Sequence, residues 1–182
     1  MKLNKIMLTA VMIFGISSVA QADQGSGKVT FTGSIIDAPC SISPNSSDQT
    51  VDLGQISKYE LKNGGKSNPR NFIIDLENCD LSEGKNKVSL TFTSAGSTTE
   101  TGLLGITGHA KGASIAITDG AGSLLKLGTK SNPQLLQNGN NTLNFAAYLQ
   151  GQTAGTGEGA QPVDPVTEGQ FQAIADFTLA YQ

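Results

Sequence analysis

The chain predicts an all-β sandwich, on three observations. Short segments with apolar residues at every second position recur along it, and turn-forming residues separate them. No stretch sustains the i, i+3, i+4, i+7 spacing of an amphipathic helix, although Leu53 to Leu61 has room for a short helical turn. Glycine, threonine, serine and asparagine are plentiful and tryptophan is absent, a composition suited to a β-rich protein outside the cytoplasm.

Residues 1–22 read as a targeting segment. Lys2 and Lys5 precede an apolar run from Ile6 to Val19, and Ala20-Gln21-Ala22 completes the charge, core and small-residue pattern of a secretory signal peptide cleaved after Ala22. The run is shorter than the ~20 residues a membrane-spanning helix needs. Cleavage leaves residues 23–182, which are 160 residues and enough for one domain with its own core.

The elements follow in order. Asp23 to Gly27 is small and polar. Lys28 to Asp37 alternates Val29, Phe31, Gly33 and Ile35 against Thr30, Thr32 and Ser34, the period of a strand. Gly33 is the odd member of its apolar face. Glycine weakens a strand interior, and it marks either a bulge or a place where another group comes close. Ala38-Pro39-Cys40 stops the strand, because proline cannot donate to a ladder.

Further strands are predicted at Thr50–Ile56, Asn71–Glu77, Lys87–Thr93, Ala113–Thr118, Leu124–Leu127 and Thr142–Gln150, with turn signals at Asn63-Gly64-Gly65. Gly151 to Pro165 reads as a long exposed loop. From Phe171, every second residue is apolar or aromatic: Phe171, Ala173, Ala175, Phe177, Leu179 and Tyr181. Helical spacing from Phe171 runs into Thr178, so Gly169–Gln182 is expected to be a half-buried strand. No later segment can pair with it. Whatever lies along its far edge comes from earlier in the chain or from another molecule.

Two cysteines, Cys40 and Cys79, form an even pair in an exported chain and predict one structural disulfide. A metal site would need more ligands, and His109 is the sole histidine; a redox pair would have C-x-x-C spacing. No metal or cofactor is therefore expected.

Charge and motifs exclude other classes. The mature chain carries 10 basic and 15 acidic residues, and Lys58, Lys62, Lys66 and Arg70 are dispersed, so no nucleic-acid footprint appears. No other segment approaches membrane-spanning length. His109 lies in a glycine-rich loop without a neighbouring carboxylate, and Gly155-Thr156-Gly157-Glu158-Gly159 neither follows a parallel strand nor opens a helix. Asp75 and Glu77 share the solvated face of their strand, opposite Phe72, Ile74 and Leu76. Asp119 and Asp164 lack calcium-loop spacing. No catalytic residues are predicted, and the protein is not expected to be an enzyme.

The two termini alternate equally strictly, and here the residues resemble a known family. V-T-F-T-G-S-I-I-D-A-P-C-S-I-S at 29–43, V-D-L-G-Q-I-S-K at 51–58, L-E-N-C-D at 76–80 and V-T-E-G-Q-F-Q-A-I-A-D-F-T-L-A-Y-Q at 166–182 resemble the major pilin subunits of chaperone–usher fimbriae of the P and type 1 kinds. That family carries a penultimate tyrosine and a glycine fourteenth from the end; Tyr181 and Gly169 stand at those places. The resemblance spans the mature chain.

The resemblance implies an immunoglobulin-like sandwich lacking its seventh strand, with residues 37–182 as the pilin domain and 23–36 as a donor-strand extension. It implies that Gly169, Phe171, Ala173, Ala175, Phe177, Leu179 and Tyr181 line an acceptor groove, which is also the chaperone-recognition surface. It implies further that Val29, Phe31, Gly33 and Ile35 enter the groove of a neighbouring subunit. The partners it implies are a periplasmic chaperone, an outer-membrane usher and neighbouring copies in a homopolymer, with export through the periplasm to a surface fibre used in adhesion. Two alternatives stand beside it: a secreted, complete β-sandwich acting as a carbohydrate-binding module, and a minor adaptor pilin of the same system.

Overall fold

The structure, a computed structural model, describes residues 27–95, 102–153 and 166–182. The expected signal peptide, Asp23 to Ser26, Glu100 and most of the Gly151–Pro165 loop, including the 155–159 glycine run and Asp164, lie outside the described residues. The chain divides into two units, Met1–Ile36 and Asp37–Gln182.

In the second unit the elements are β1 (Ser41–Ile42), α1 (Pro44–Ser47), a 3-10 turn (Lys62–Gly64), β2 (Arg70–Cys79), β3 (Lys87–Thr93), β4 (Leu104–Gly105), β5 (Thr107–Gly108), β6 (Ala113–Asp119), β7 (Leu124–Leu125), β8 (Gln134–Leu135), β9 (Gly139–Gly151), β10 (Phe171–Gln172) and β11 (Asp176–Tyr181). Every pairing is antiparallel. A large sheet runs β1-β2-β9-β6-β4 with β7 also on β6, a second runs β11-β3-β8, and β10 pairs with β5.

Alternation explains the core. Ile74 and Leu76 of β2, Leu143 and Phe145 of β9 and Ile117 of β6 project from the large sheet onto Val88, Leu90 and Phe92 of β3. Phe72, Phe92 and Phe145 meet with ring centroids 5.5–6.2 Å apart, and Phe177 joins Phe92 at 6.4 Å. Such contacts add to the area buried. Asp75 and Glu77 do face away from this core, and Asp75 accepts a hydrogen bond of 2.7 Å from the Thr142 hydroxyl across the β2–β9 ladder.

Cys40 and Cys79 form the predicted disulfide, with both residues buried. Simple alternation from Phe72, Ile74 and Leu76 would turn Cys79 away from the core. A register shift between Leu76 and Cys79, with Asn78 at φ 53°, restores the inward direction. Asparagine tolerates this left-handed conformation better than most residues.

Three expectations change. Residues 28–36 form no strand. Thr50–Ile56 forms no ladder either: Gly54 adopts φ 75°, and its N–H donates to the Asp52 carboxylate at 2.8 Å, closing a local turn. The final strand is divided, with residues 173–175 unpaired between β10 and β11. The helical turn expected within Leu53–Leu61 falls at the end of that range, as turns over 58–61 that lead into the 3-10 turn at Lys62–Gly64.

Candidate functional site

The candidate site is the free edge of β11. On one side β11 pairs with β3 in the register Phe177↔Phe92, Leu179↔Leu90 and Tyr181↔Val88. On its other side no strand of the described residues pairs with it. The consequence is visible in burial. Val88, Leu90 and Phe92 of β3 are fully buried, yet Phe177, Leu179 and Tyr181, one strand further out on the same face, are only half-buried. An apolar row that packs on the core from one side and stays open on the other is a groove short of a strand.

The row extends beyond β11. Ala175 packs on the main core with Phe177, Leu179 and Tyr181, whereas Phe171 packs on a second cluster of Leu61, Ala113 and Leu149. Phe171, Ala173, Ala175, Phe177, Leu179 and Tyr181 are all half-buried, and Gln172, Ile174, Asp176 and Thr178 between them are exposed. The period-2 face thus survives the gap at 173–175. Burial raises the Tyr181 phenol above its ordinary value, which keeps it neutral.

Gly169 has a steric role. Its φ is 150°, and a β-carbon there would lie 2.7 Å from His109 Cβ and 2.8 Å from the Ala110 nitrogen. The close approach lets the Gln170 carbonyl accept hydrogen bonds from the His109 and Ala110 N–H groups at 2.9 and 3.3 Å. Gly108, opposite Phe171 in the β5–β10 pair, is equally confined: its β-carbon would stand 2.5 Å from the Gln170 oxygen. Gly169→Ala is therefore expected to destabilise the domain by about 1–3 kcal/mol, lowering its thermal midpoint by several degrees. Gln172→Ala, an exposed change on β10, is the control and should leave the midpoint unchanged; equal midpoints for the two variants would refute the steric account.

Val29, Phe31, Gly33 and Ile35 lie in the other unit. Phe31 is 90% exposed, Ile35 fully so, and Val29 74%. Gly33 has neither of the local reasons for glycine. Its φ is not left-handed, and a β-carbon added there meets nothing within 4 Å. Its own chain therefore imposes no demand for glycine at this position.

Sequence reasoning missed Gly108, and it singled out the stretch 51–58 without assigning it a place at the site. Val51, Leu53 and Ile56 are half-buried, and Ile56 packs on the same second cluster as Phe171. The signal was the apolar spacing that suggested a strand there. Among the described residues no group of histidine, cysteine, aspartate or glutamate side chains has metal-ligand geometry. A cleft of about 600 Å³ on the outer face of the large sheet includes Lys66, Asp119 and Tyr148. It offers no reactive pair, because the Asp119 carboxylate is engaged by the N–H groups of Ala121 and Ser123 in its own turn.

Residues 29–182 match the family model described as fimbrial protein. The chain is 61% identical to the fimbria A protein of Serratia marcescens, over all of both chains. It is 53% identical to the major MR/P fimbria protein of Proteus mirabilis, again over all of both. Among solved structures it is similar to the P pilus rod subunit PapA, with 35% identity and a TM-score of 0.66 over 80% of this chain and all of that one. It is also similar to a subunit of a chaperone–usher pilus, with 37% identity and a TM-score of 0.72 over 87% of this chain and 97% of that one. An all-β fold with an apolar strand edge left open, a matching family model over residues 29–182 and relatives at such identity along the whole chain lead to one conclusion: the chain belongs to the fimbrial protein family, as a structural subunit with the incomplete immunoglobulin-like fold of chaperone–usher pilins and not an enzyme.

Proposed function

We propose that this protein is the major rod subunit of a chaperone–usher fimbria and that it polymerises by donor-strand exchange. The observation that carries the proposal is the coexistence, in one chain, of a strand with an uncovered apolar edge and a strictly alternating segment with exposed apolar side chains. Residues 23–36 of one subunit fill the groove beside Gly169–Gln182 of the next. Such β-strand addition combines main-chain hydrogen bonds with pockets for alternate side chains. Val29, Phe31 and Ile35 would each contribute about 1.5–3 kcal/mol on full burial. Each joint uses two different surfaces, so the assembly is heterologous and need not close.

Before assembly a periplasmic chaperone covers the groove, and an outer-membrane usher presides over its replacement by the neighbour's segment. The fibre emerges at the cell surface. The rod role is favoured over an adaptor role by the full-length similarity to major fimbrial proteins. A complete carbohydrate-binding sandwich gains no support, since residues 28–36 join no ladder.

Gly33→Asn tests the reading. Nothing in its own chain requires glycine at this position, so the variant should fold and form the chaperone complex at the wild-type yield. Its side chain would block the groove of the next subunit, so the SDS-resistant ladder expected on unheated gels of wild-type fibres should be missing. Normal rods from this variant, or a wild-type chain that purifies as a stable monomer, would overturn the assignment.

A further inference from the structure

An ion pair stands close to the Phe171 end of the apolar row. Lys58 Nζ and Glu168 Oε2 stand 2.7 Å apart, forming the one ion pair among the described residues and joining positions 110 apart in sequence. Each partner is held in place from behind. Lys58 lies on a turn in which the Glu60 N–H donates to the Ser57 carbonyl at 3.0 Å, and buried Leu61 anchors that turn. Glu168 follows Thr167, whose N–H donates to the Lys111 carbonyl at 3.1 Å while its hydroxyl accepts from the Lys111 N–H at 3.0 Å.

The anchors place the pair near the Phe171 end of the apolar row. Ile56, two residues before Lys58, and Phe171, three after Glu168, both pack on the Leu61, Ala113 and Leu149 cluster. The pair thus ties the 51–58 stretch to the segment that continues through Phe171 into β11. Both side chains are exposed, at 42% and 80%.

We propose that Lys58 and Glu168 form an electrostatic clasp that must part for a donor strand to seat at this end of the groove, so that the clasp slows strand entry and makes it salt-sensitive. The proposal rests on the donor-strand reading above. The hydrogen bond from Lys58 holds Glu168 below the usual carboxylate range, and Glu168 in turn raises Lys58, so both are charged at neutral pH. An exposed pair is weak, and ions screen it. The expected effect is therefore kinetic and modest, a tuning of exchange and not a lock.

The test uses the complex of the mature chain with its periplasmic chaperone. The probe is a labelled synthetic peptide of residues 23–37 of this chain, and the rate of its uptake is followed by fluorescence anisotropy as the chaperone is displaced. At low salt, Lys58→Ala and Glu168→Gln should each accelerate uptake by about two- to five-fold. Wild-type uptake should quicken by a similar factor at about 1 M NaCl, where screening is nearly complete, whereas the single variants respond little. The charge-swapped double variant, Lys58→Glu with Glu168→Lys, should restore both the slow rate and the salt response. Unchanged rates in the single variants, or a swap that restores neither property, would overturn the clasp while leaving the donor-strand reading intact. Failure of any form to take up the peptide would overturn that reading and the clasp with it.

Discussion

Deletion of Asp23 to Ile36 is expected to abolish incorporation into fibres while leaving capture by the chaperone unchanged. The segment contains Val29, Phe31, Gly33 and Ile35, none of which is in a ladder and all of which are exposed. Among the described residues, every strand, the disulfide and the buried core belong to Asp37–Gln182. On the proposed exchange, the truncated subunit keeps its open β11 edge as an acceptor but has nothing to offer the next groove. Co-expressed with chaperone, it should yield the same 1:1 complex as the full chain. Unheated gels should show no ladder, and mixed with wild-type subunits it should shorten the fibres, since each truncated copy stops growth on one side. Polymers formed from the truncated chain alone would refute the donor role of residues 23–36.

Replacing both cysteines by alanine is expected to cost about 4 kcal/mol, the chain-entropy value for a cross-link of this span. The bond joins residues 39 apart. Total stabilities of small domains are about 5–15 kcal/mol, and a domain that lacks one of its strands has less core to draw on. The loss should lower the thermal midpoint by roughly 8–16 °C and sharply reduce the yield of chaperone complex. The bond also has a local task. It fixes the start of the domain to the end of β2, beside the hydrogen bond from the Asp80 N–H to the Pro39 carbonyl at 2.9 Å. Without it, β1 keeps a two-residue ladder to Leu76 and Glu77, flanked by that hydrogen bond and by the Ser43 N–H donating to the Asp75 carbonyl at 2.9 Å. Thermal unfolding with and without reductant measures the effect, and a change equivalent to less than about 1 kcal/mol would show that packing of β1 and β2 alone holds this corner together.

Much of the sandwich was legible in the sequence because its strands have one face in the core, and alternation records that directly. Lys87–Thr93 was bounded correctly, and β6 was one residue longer than expected. Strands β2 and β9 outran their predicted limits, since a ladder continues for as long as a partner lies alongside, and the polar ends Arg70, Asn78 and Gly139–Asn141 carry no apolar signal. The disulfide followed from two cysteines in an exported chain, but the bulge at Asn78 that aims Cys79 inward did not.

The same alternation failed at 28–36 and 50–56, and the reason is physical. A period-2 pattern states that a segment is fit to lie on an apolar surface; it does not state that the surface belongs to its own chain. Residues 28–36 have the pattern and no ladder. By itself, then, the sequence determined the fold class, the cross-link, the inward face of the long strands β2, β3, β6 and β9 and the two segments whose alternation suits strand exchange. The tertiary structure alone decided that β11 is an edge, that Gly169 and Gly108 must be bare for two backbones to cross, and that Lys58 meets Glu168. Those facts depend on residues far apart in the chain arriving within a few ångströms of one another, and no local period encodes that.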